Sequence, residues 1–198
     1  MTGLRLHTKF SVQDLYTRFK RDARGRVSRY KARLVVQGYR QTQGEDYLLT
    51  YAPVAKATSV RLLLALAAAE DMLVHQMDAV TAFLNADVDT DVFIKPPVGY
   101  SYTGDKVLKL KKSVYGIKTA PRNWHLLIDR VLTEELSMTN CLSDLCVFRR
   151  HNEQGSLLTA LYVDDLIICG SDLTIVNEAK TKLGQRFQMK DLGELNWC

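Results

Sequence analysis

The chain has 198 residues, of which 46% are hydrophobic and 25% charged, a composition typical of a globular domain and unlike that of disordered or collagen-like chains. The longest apolar run, residues 62–69, is far shorter than the roughly 18–20 residues of a membrane-spanning helix. No apolar segment follows Arg5, His7 and Lys9, so we expect no secretory signal. The four cysteines form no CxxC pair, which favours reduced thiols over a zinc site.

The net charge of +5 is distributed unevenly along the chain. Residues 1–40 hold eleven Lys and Arg against two Asp, whereas the remainder holds sixteen Lys and Arg against twenty Asp and Glu. Lys and Arg gain affinity for nucleic acid by displacing counterions from phosphates. The basic segment therefore suits a polyanionic partner, although a solvated basic face would look the same.

The first half of the chain predicts a turn, a helix and several strands. Residues 22–25 carry turn signals, residues 38–50 are loop-like, and Thr58 or Ser59 is a plausible N-cap for a helix over 60–70. The predicted strands span residues 31–36, 73–79, 92–95 and 107–110.

The second half predicts two further helices and three further strands. Pro121 suits the first turn of a helix that continues to about Leu136, and Ser171 or Asp172 caps a last helix with Ile175, Ala179 and Leu183 on its apolar face. The predicted strands span residues 145–149, 157–163 and 166–169. Helices mixed with antiparallel hairpins predict an α+β fold.

Two adjacent carboxylates, Asp164 and Asp165, lie between two strongly apolar strands. Burying unpaired charge is very unfavourable, whereas a hairpin tip that presents both acids to Mg²⁺ satisfies them. An exposed Asp-Asp turn is the alternative, and the residues themselves leave both open.

Asp78 closes a predicted strand and supplies a third candidate carboxylate. Three clustered carboxylates would raise one another's pKa, and two Mg²⁺ ions would stabilise them for phosphoryl transfer. A helix N-cap or strand-end role is the alternative for Asp78.

Six blocks occur in an order that resembles the reverse-transcriptase domain of copia-type LTR retrotransposon polyproteins. They are RYKARLV at 29–35, YAPVAK through Val60-Arg61 at 51–61, HQMD through AFLN at 75–85, KKSVYGIKTAPRNW at 111–124, YVDD at 162–165 and MKDLGEL at 189–195. Any one block is weak, but their common order is specific.

The resemblance implies an α+β palm and fingers, with an antiparallel palm sheet backed by helices. Residues 1–70 would form a basic fingers-like lobe whose first 20 residues are atypical, and residues 71–198 the palm with part of the fingers. Cys198 would end the chain before the primer grip and thumb, so we expect poor processive synthesis from the chain alone.

The resemblance also implies RNA-directed DNA polymerase activity, with dNTPs, a primer and an RNA or DNA template as partners. Asp78, Asp164 and Asp165 would be catalytic and would bind two Mg²⁺ ions, or Mn²⁺ in their place. The thumb and RNase H segments would belong to a parent polyprotein located in cytoplasmic virus-like particles or in the nucleus, and no membrane partner is implied. The alternative is a truncated, inactive remnant that only binds nucleic acid.

Six further residues are implied to bind substrate. Lys31 and Arg33 would contact the triphosphate, and Phe83 would exclude the sugar 2′-hydroxyl. Tyr115, Gly116 and Lys118 would lie under the nascent base pair and template, with Gly116 allowing close backbone approach. The alternatives are an exposed strand face for Lys31 and Arg33, a core aromatic for Phe83, and a simple turn for residues 115–121.

Overall fold

The computed structural model describes residues 12–97 and 107–195, without the side chains of residues 12–18 and Lys31. His7, Gly99, Gly104 and Cys198 lie outside the described residues. The chain divides into two compact units, the first made of Met1–Tyr51 and Phe83–Asn123 and the second of Ala52–Ala82 and Trp124–Cys198. No helix in the described part of the chain is both long and apolar enough to cross a bilayer.

The first unit contains two small antiparallel sheets. Strands β1 (Val12–Arg21) and β2 (Val27–Val36) form a hairpin, and β4 (Phe93–Ile94) pairs with β5 (Leu108–Lys109). The turn predicted at residues 22–25 is confirmed, because an Asp22 carboxylate oxygen accepts hydrogen bonds from the backbone N–H groups of Arg24 and Arg26, both at 2.9 Å.

The second unit is built on a six-stranded antiparallel sheet in the order β10-β3-β9-β8-β7-β6. Its strands are β3 (Leu73–Ala79), β6 (Thr139–Cys141), β7 (Asp144–Asn152), β8 (Gly155–Tyr162), β9 (Asp165–Gly170) and β10 (Met189–Glu194). The expected mixture of helices and antiparallel strands is therefore confirmed.

Helix α1 spans Ala57–Ala69 and has Lys56 as its N-cap, so the predicted start near residue 60 and the predicted cap at Thr58 or Ser59 are wrong. The helix begins earlier because its first residues contact a hydrogen-bond acceptor that is distant in the sequence, Asp144. The backbone N–H of Lys56 donates to the Asp144 carboxylate at 2.9 Å, and Ser59 donates to the same group. That carboxylate satisfies the Lys56 N–H, one of the free donors at the start of the helix, and also accepts from the Ser59 hydroxyl, so the helix begins at this contact.

Three further helices follow along the chain. They are the short α2 (Ala82–Asn85), α3 (Ala120–Arg130), which continues into a π-helical turn at Val131–Glu135, and α4 (Leu173–Arg186). Asp172 caps α4 as predicted, because its side chain accepts from the N–H groups of Thr174 and Ile175.

Helices α1 and α4 cover opposite faces of the six-stranded sheet. Val74 on β3 packs in the cluster that contains Leu63 and Ala67 of α1, whereas the next residue, His75, contacts Lys180 of α4. Successive side chains of a strand point to opposite faces. Asp78, four residues after Val74, therefore lies on the face that α1 covers.

Candidate active site

Asp78 and Asp165 are directly opposed on neighbouring antiparallel strands, β3 and β9. Opposed residues share one face of a sheet, and their Cβ atoms are typically about 4.5–5.5 Å apart. These two aspartates are 87 residues apart in the chain, yet the sheet register places them side by side.

Asp164 joins the same end of the sheet through its backbone. Tyr162 pairs with Asp165, so Val163 and Asp164 form the turn between β8 and β9. The Asp164 carbonyl accepts a hydrogen bond from the backbone N–H of Ala79 at 2.8 Å, directly after Asp78. The three predicted aspartates are thus brought together from two separate parts of the chain.

The environment of Asp165 makes its charge unfavourable. Burial raises the pKa of this carboxyl, and the like charges of Asp164 and Asp78 raise the pKa further. A hydrogen bond from the Gln76 side chain at 3.2 Å lowers the pKa in partial compensation. Gln76 was not among the predicted site residues, although its place two residues before Asp78 puts it on the same strand face.

Between residues 12 and 97 and between 107 and 195, no three acidic, histidine or cysteine side chains stand close enough together to form a metal site. What converges at this end of the sheet is the backbone and register of the three aspartates. Mutual repulsion of carboxylates favours separated side chains until a cation offsets their charge. Their roles as metal ligands therefore stay a prediction.

Lys190 on β10 is directly opposed to Asp78 across the other border of β3. Lys190 consequently belongs to the same cross-strand row as Asp78 and Asp165. Residues 189–195 were recognised only as a family block, because their polar sequence gives little strand signal.

The remaining predicted site residues belong to the first unit, where an arginine and two aromatic rings form a cluster. The Arg33 guanidinium lies 5.0 Å from the centre of the Tyr115 ring, and the Phe83 and Tyr115 ring centres are 4.7 Å apart. Phe83 is buried, with 9% of its surface exposed. Lys31 lies on β2, and its side chain is outside the described residues.

Gly116 allows a close approach of two backbone segments of the protein itself. Its φ of +93° favours glycine, and a Cβ atom there would overlap the carbonyl group of Val36. The backbone N–H of Val36 donates to the Tyr115 carbonyl at 2.8 Å, so the approaching segment is the end of β2. Contact of Gly116 with a base pair stays a prediction.

The Lys118 side chain is hydrogen-bonded to other residues of the first unit. Its ammonium group donates to the Gln41 carbonyl at 3.1 Å and to the Tyr47 hydroxyl at 3.2 Å. The same ammonium is 5.0 Å from the centre of the Tyr47 ring. Lys118 therefore orders the loop that follows β2, and its predicted contact with a template is untested.

Comparison with known proteins defines the class. The family model described as reverse transcriptase (RNA-dependent DNA polymerase) matches residues 7–197. The chain is 41% identical over 179 residues to the retrovirus-related Pol polyprotein from transposon TNT 1-94 of Nicotiana tabacum, a match that covers 89% of the chain and 13% of that relative. The polyprotein from transposon RE1 of Arabidopsis thaliana is 36% identical over 180 residues, covering 90% of the chain and 12% of the relative.

A relative from yeast is similar to the chain over nearly the same length. The Ty1-ER2 Gag-Pol polyprotein of Saccharomyces cerevisiae is 32% identical over 178 residues, which cover 86% of the chain and 10% of the relative. The chain belongs to the reverse-transcriptase family of copia-type retrotransposon Pol polyproteins. It spans between 10% and 13% of the lengths of these three relatives.

Proposed function

We propose that this chain catalyses template-directed transfer of nucleotides from dNTPs to the 3′-hydroxyl of a primer, with RNA or DNA as template. The observation that carries the proposal is the opposed position of Asp78 and Asp165, with the Asp164 turn hydrogen-bonded to the end of β3. Carboxylates brought together from distant parts of a chain, at half-buried positions, are costly for stability and typical of catalytic sites.

We further propose that the six-stranded sheet with α1 and α4 acts as the polymerase palm, and that the β1–β2 hairpin belongs to the fingers. In the proposed division by function, residues 1–70 form the fingers-like lobe and residues 71–198 form the palm with part of the fingers. The compact units divide the chain elsewhere, since α1 packs on β3 and β8 of the large sheet.

The donor chemistry at the three aspartates fits a divalent cation. Asp78, Asp164 and Asp165 offer hard carboxylate oxygens, which suit Mg²⁺ and also Mn²⁺. The like charges that raise the pKa of Asp165 would be offset by a cation. Two bound Mg²⁺ ions would lower the pKa of the primer hydroxyl and would neutralise the charge of the triphosphate.

The residues of the first unit are proposed to bind the nucleotide. Arg33 presents a forked cation, which suits phosphate oxygens, and the Tyr115 ring beneath it limits its orientation. Phe83 packs against the same Tyr115 ring. If Phe83 helps to exclude the 2′-hydroxyl, it would therefore do so by fixing the position of Tyr115. Lys31, on the same strand as Arg33, would add a second cation.

Primer extension on a poly-rA template with oligo-dT primer, in Mg²⁺ and in Mn²⁺, tests the proposal. Asp164→Asn and Asp78→Asn should each reduce incorporation by roughly a thousandfold, since cation-based charge stabilisation provides several kcal/mol at about 1.4 kcal/mol per tenfold rate. Glu153→Gln is the matched control, because this exposed acid lies in the β7–β8 turn.

RNA binding, measured by fluorescence anisotropy, should be unchanged in all three variants. RNA binding by the unaltered chain without any incorporation would instead support the alternative, a remnant that retains only nucleic-acid binding. Incorporation that survives Asp164→Asn would contradict the proposal.

A further inference from the structure

The turn that carries Asp164 has an unusual backbone. Val163 has a φ of +57°, in the left-handed region. A β-branched residue rarely adopts this conformation, because its branched Cβ crowds the neighbouring backbone. Such strain persists only where surrounding contacts hold it in place.

Both carbonyl groups of the turn are held by other elements. The indole N–H of Trp124, on α3, donates to the Val163 carbonyl at 2.7 Å. The backbone N–H of Ala79, at the end of β3, donates to the Asp164 carbonyl at 2.8 Å. One side chain from a helix and one strand end therefore fix the two peptide groups that precede Asp164 and Asp165.

Trp124 is itself firmly placed. Only 1% of its surface is exposed, and its ring meets the buried ring of Phe187 edge to face, with centres 5.0 Å apart. The indole N–H is the only polar group of the side chain, so losing it would leave the Val163 carbonyl without this donor. The ring has little freedom to release the hydrogen bond while α3 stays packed.

We propose that Trp124 is a positioning residue for the catalytic turn. Its indole N–H holds Val163 in the left-handed conformation and thereby sets the direction of the Asp164 and Asp165 carboxylates. The hydrogen bond of Trp124 goes to a backbone carbonyl and not to a carboxylate, so Trp124 acts through the backbone. This inference rests on the proposed function, because it assumes that those carboxylates bind cations.

The first test is Trp124→Phe, which keeps an aromatic ring against Phe187 and removes the N–H donor. Mn²⁺ binding to the full chain is measured by electron paramagnetic resonance, and primer extension gives kcat and the KM for dTTP. Loss of a group that orients metal ligands typically weakens metal binding by about 10–100-fold, and we expect a loss in that range. The fall in kcat should exceed the change in KM.

Ile128→Val is the stability control. Ile128 is fully buried one helical turn after Trp124, so this variant lowers the melting temperature without touching the turn. It should bind Mn²⁺ as the unaltered chain does. Equal Mn²⁺ weakening in both variants at equal melting temperature would show that Trp124 acts only through general stability, and would overturn the inference.

A rescue variant and a shape-preserving variant sharpen the result. Asparagine tolerates the left-handed conformation, so Val163→Asn should restore most Mn²⁺ affinity to the Trp124→Phe chain. In a Trp197→Phe chain, where Trp124 is the only tryptophan, replacing the indole by benzothienylalanine removes the N–H at constant shape. This second route tests the hydrogen bond even if Trp124→Phe fails to fold.

The outcomes separate the inference from the proposed function. If Asp164→Asn abolishes Mn²⁺ binding but neither change at Trp124 weakens it, the proposed function survives and the positioning role is wrong. If Asp164→Asn leaves Mn²⁺ binding intact, the proposed function fails and the positioning role fails with it. If Trp124→Phe weakens Mn²⁺ binding and Val163→Asn restores it, both the proposed function and the positioning role are supported.

Discussion

Asp78 of β3 and Asp165 of β9 face each other across one strand pair, with no residue between them in the register. Like charges that are directly opposed in a sheet destabilise it. The protein therefore carries a local electrostatic penalty at the place where we propose that cations bind, and this relationship has a measurable effect on stability.

We predict that Asp78→Asn makes the chain more stable when divalent ions are removed. Relief of repulsion between opposed like charges should raise the free energy of unfolding by up to about 1 kcal/mol. The stabilisation that Mg²⁺ gives the unaltered chain should be lost in the variant. Thermal unfolding in EDTA and in excess Mg²⁺ measures both effects, with Glu153→Gln as a control for removing one acid. A destabilised Asp78→Asn chain in EDTA would contradict the prediction.

Asp144 is predicted to make stability depend on pH in the acid range. Burial opposes its charge, but hydrogen bonds from Lys56, Ser59 and Cys146 outweigh burial and lower the pKa of this carboxyl below its ordinary value of 3.8. A carboxyl with a lowered folded-state pKa stabilises the protein above its unfolded-state pKa, and this contribution is lost as the pH falls from about 3.8 through the lower value.

Asp144→Asn should therefore lower the free energy of unfolding at neutral pH by about 1–3 kcal/mol, because an acceptor for buried donors is lost. Urea unfolding at a series of pH values should show a flatter acid limb in the variant than in the unaltered chain. An unchanged acid limb would mean that other carboxylates dominate this range.

Gly116→Ala is predicted to disrupt the first unit more than an alanine at a comparable glycine. The new Cβ would have both an unfavourable positive φ and an overlap with the Val36 carbonyl. Gly25→Ala is the matched control, because Gly25 has a φ of +77° with no atom within 4 Å of an added Cβ. The control should cost about 1 kcal/mol and Gly116→Ala clearly more, as denaturant unfolding would measure. Equal costs would show that the close approach is unimportant.

Cysteine reactivity is predicted to follow burial. Burial raises the pKa of Cys146 to about 12, with the charges of Asp144 and Asp129 adding to it, so its thiolate is scarce at neutral pH. Cys141 is only half-buried. In a Cys198→Ser chain, Cys141→Ser should remove the fast phase of reaction with a disulfide reagent, whereas Cys146→Ser should leave it. A fast phase that disappears in Cys146→Ser instead would contradict this order.

Elements with strong local signals were predictable from the sequence. β3 was predicted with its observed bounds, and the cap of α4 with one of its two named residues, because alternation and a capping side chain are local properties. β1, β6 and β10 were missed. Their strand character depends on pairing with partners elsewhere in the chain, as in the pairing of β10 with β3, and their sequences alternate weakly.

The candidate site shows the same division. The three aspartates could be named from the sequence because strand ends and family blocks mark them. The strand register that sets Asp78 opposite Asp165 could not be predicted from the sequence. The sequence places Trp124 in a block that resembles the family, but it assigns this residue no role in the site. A buried indole N–H needs an acceptor, which signals that a partner exists but does not identify Val163, 39 residues away.

Strand β10 borders the six-stranded sheet and is hydrogen-bonded to β3 on one side. Its register breaks between Asp191 and Gly193, where Gly193 has a φ of +78°. A bulge and charged side chains such as Lys190 bend and blunt a strand that could otherwise accept another chain. Strand β10, which carries Lys190 opposite Asp78 in the register, therefore has the features that discourage edge-to-edge pairing with another chain.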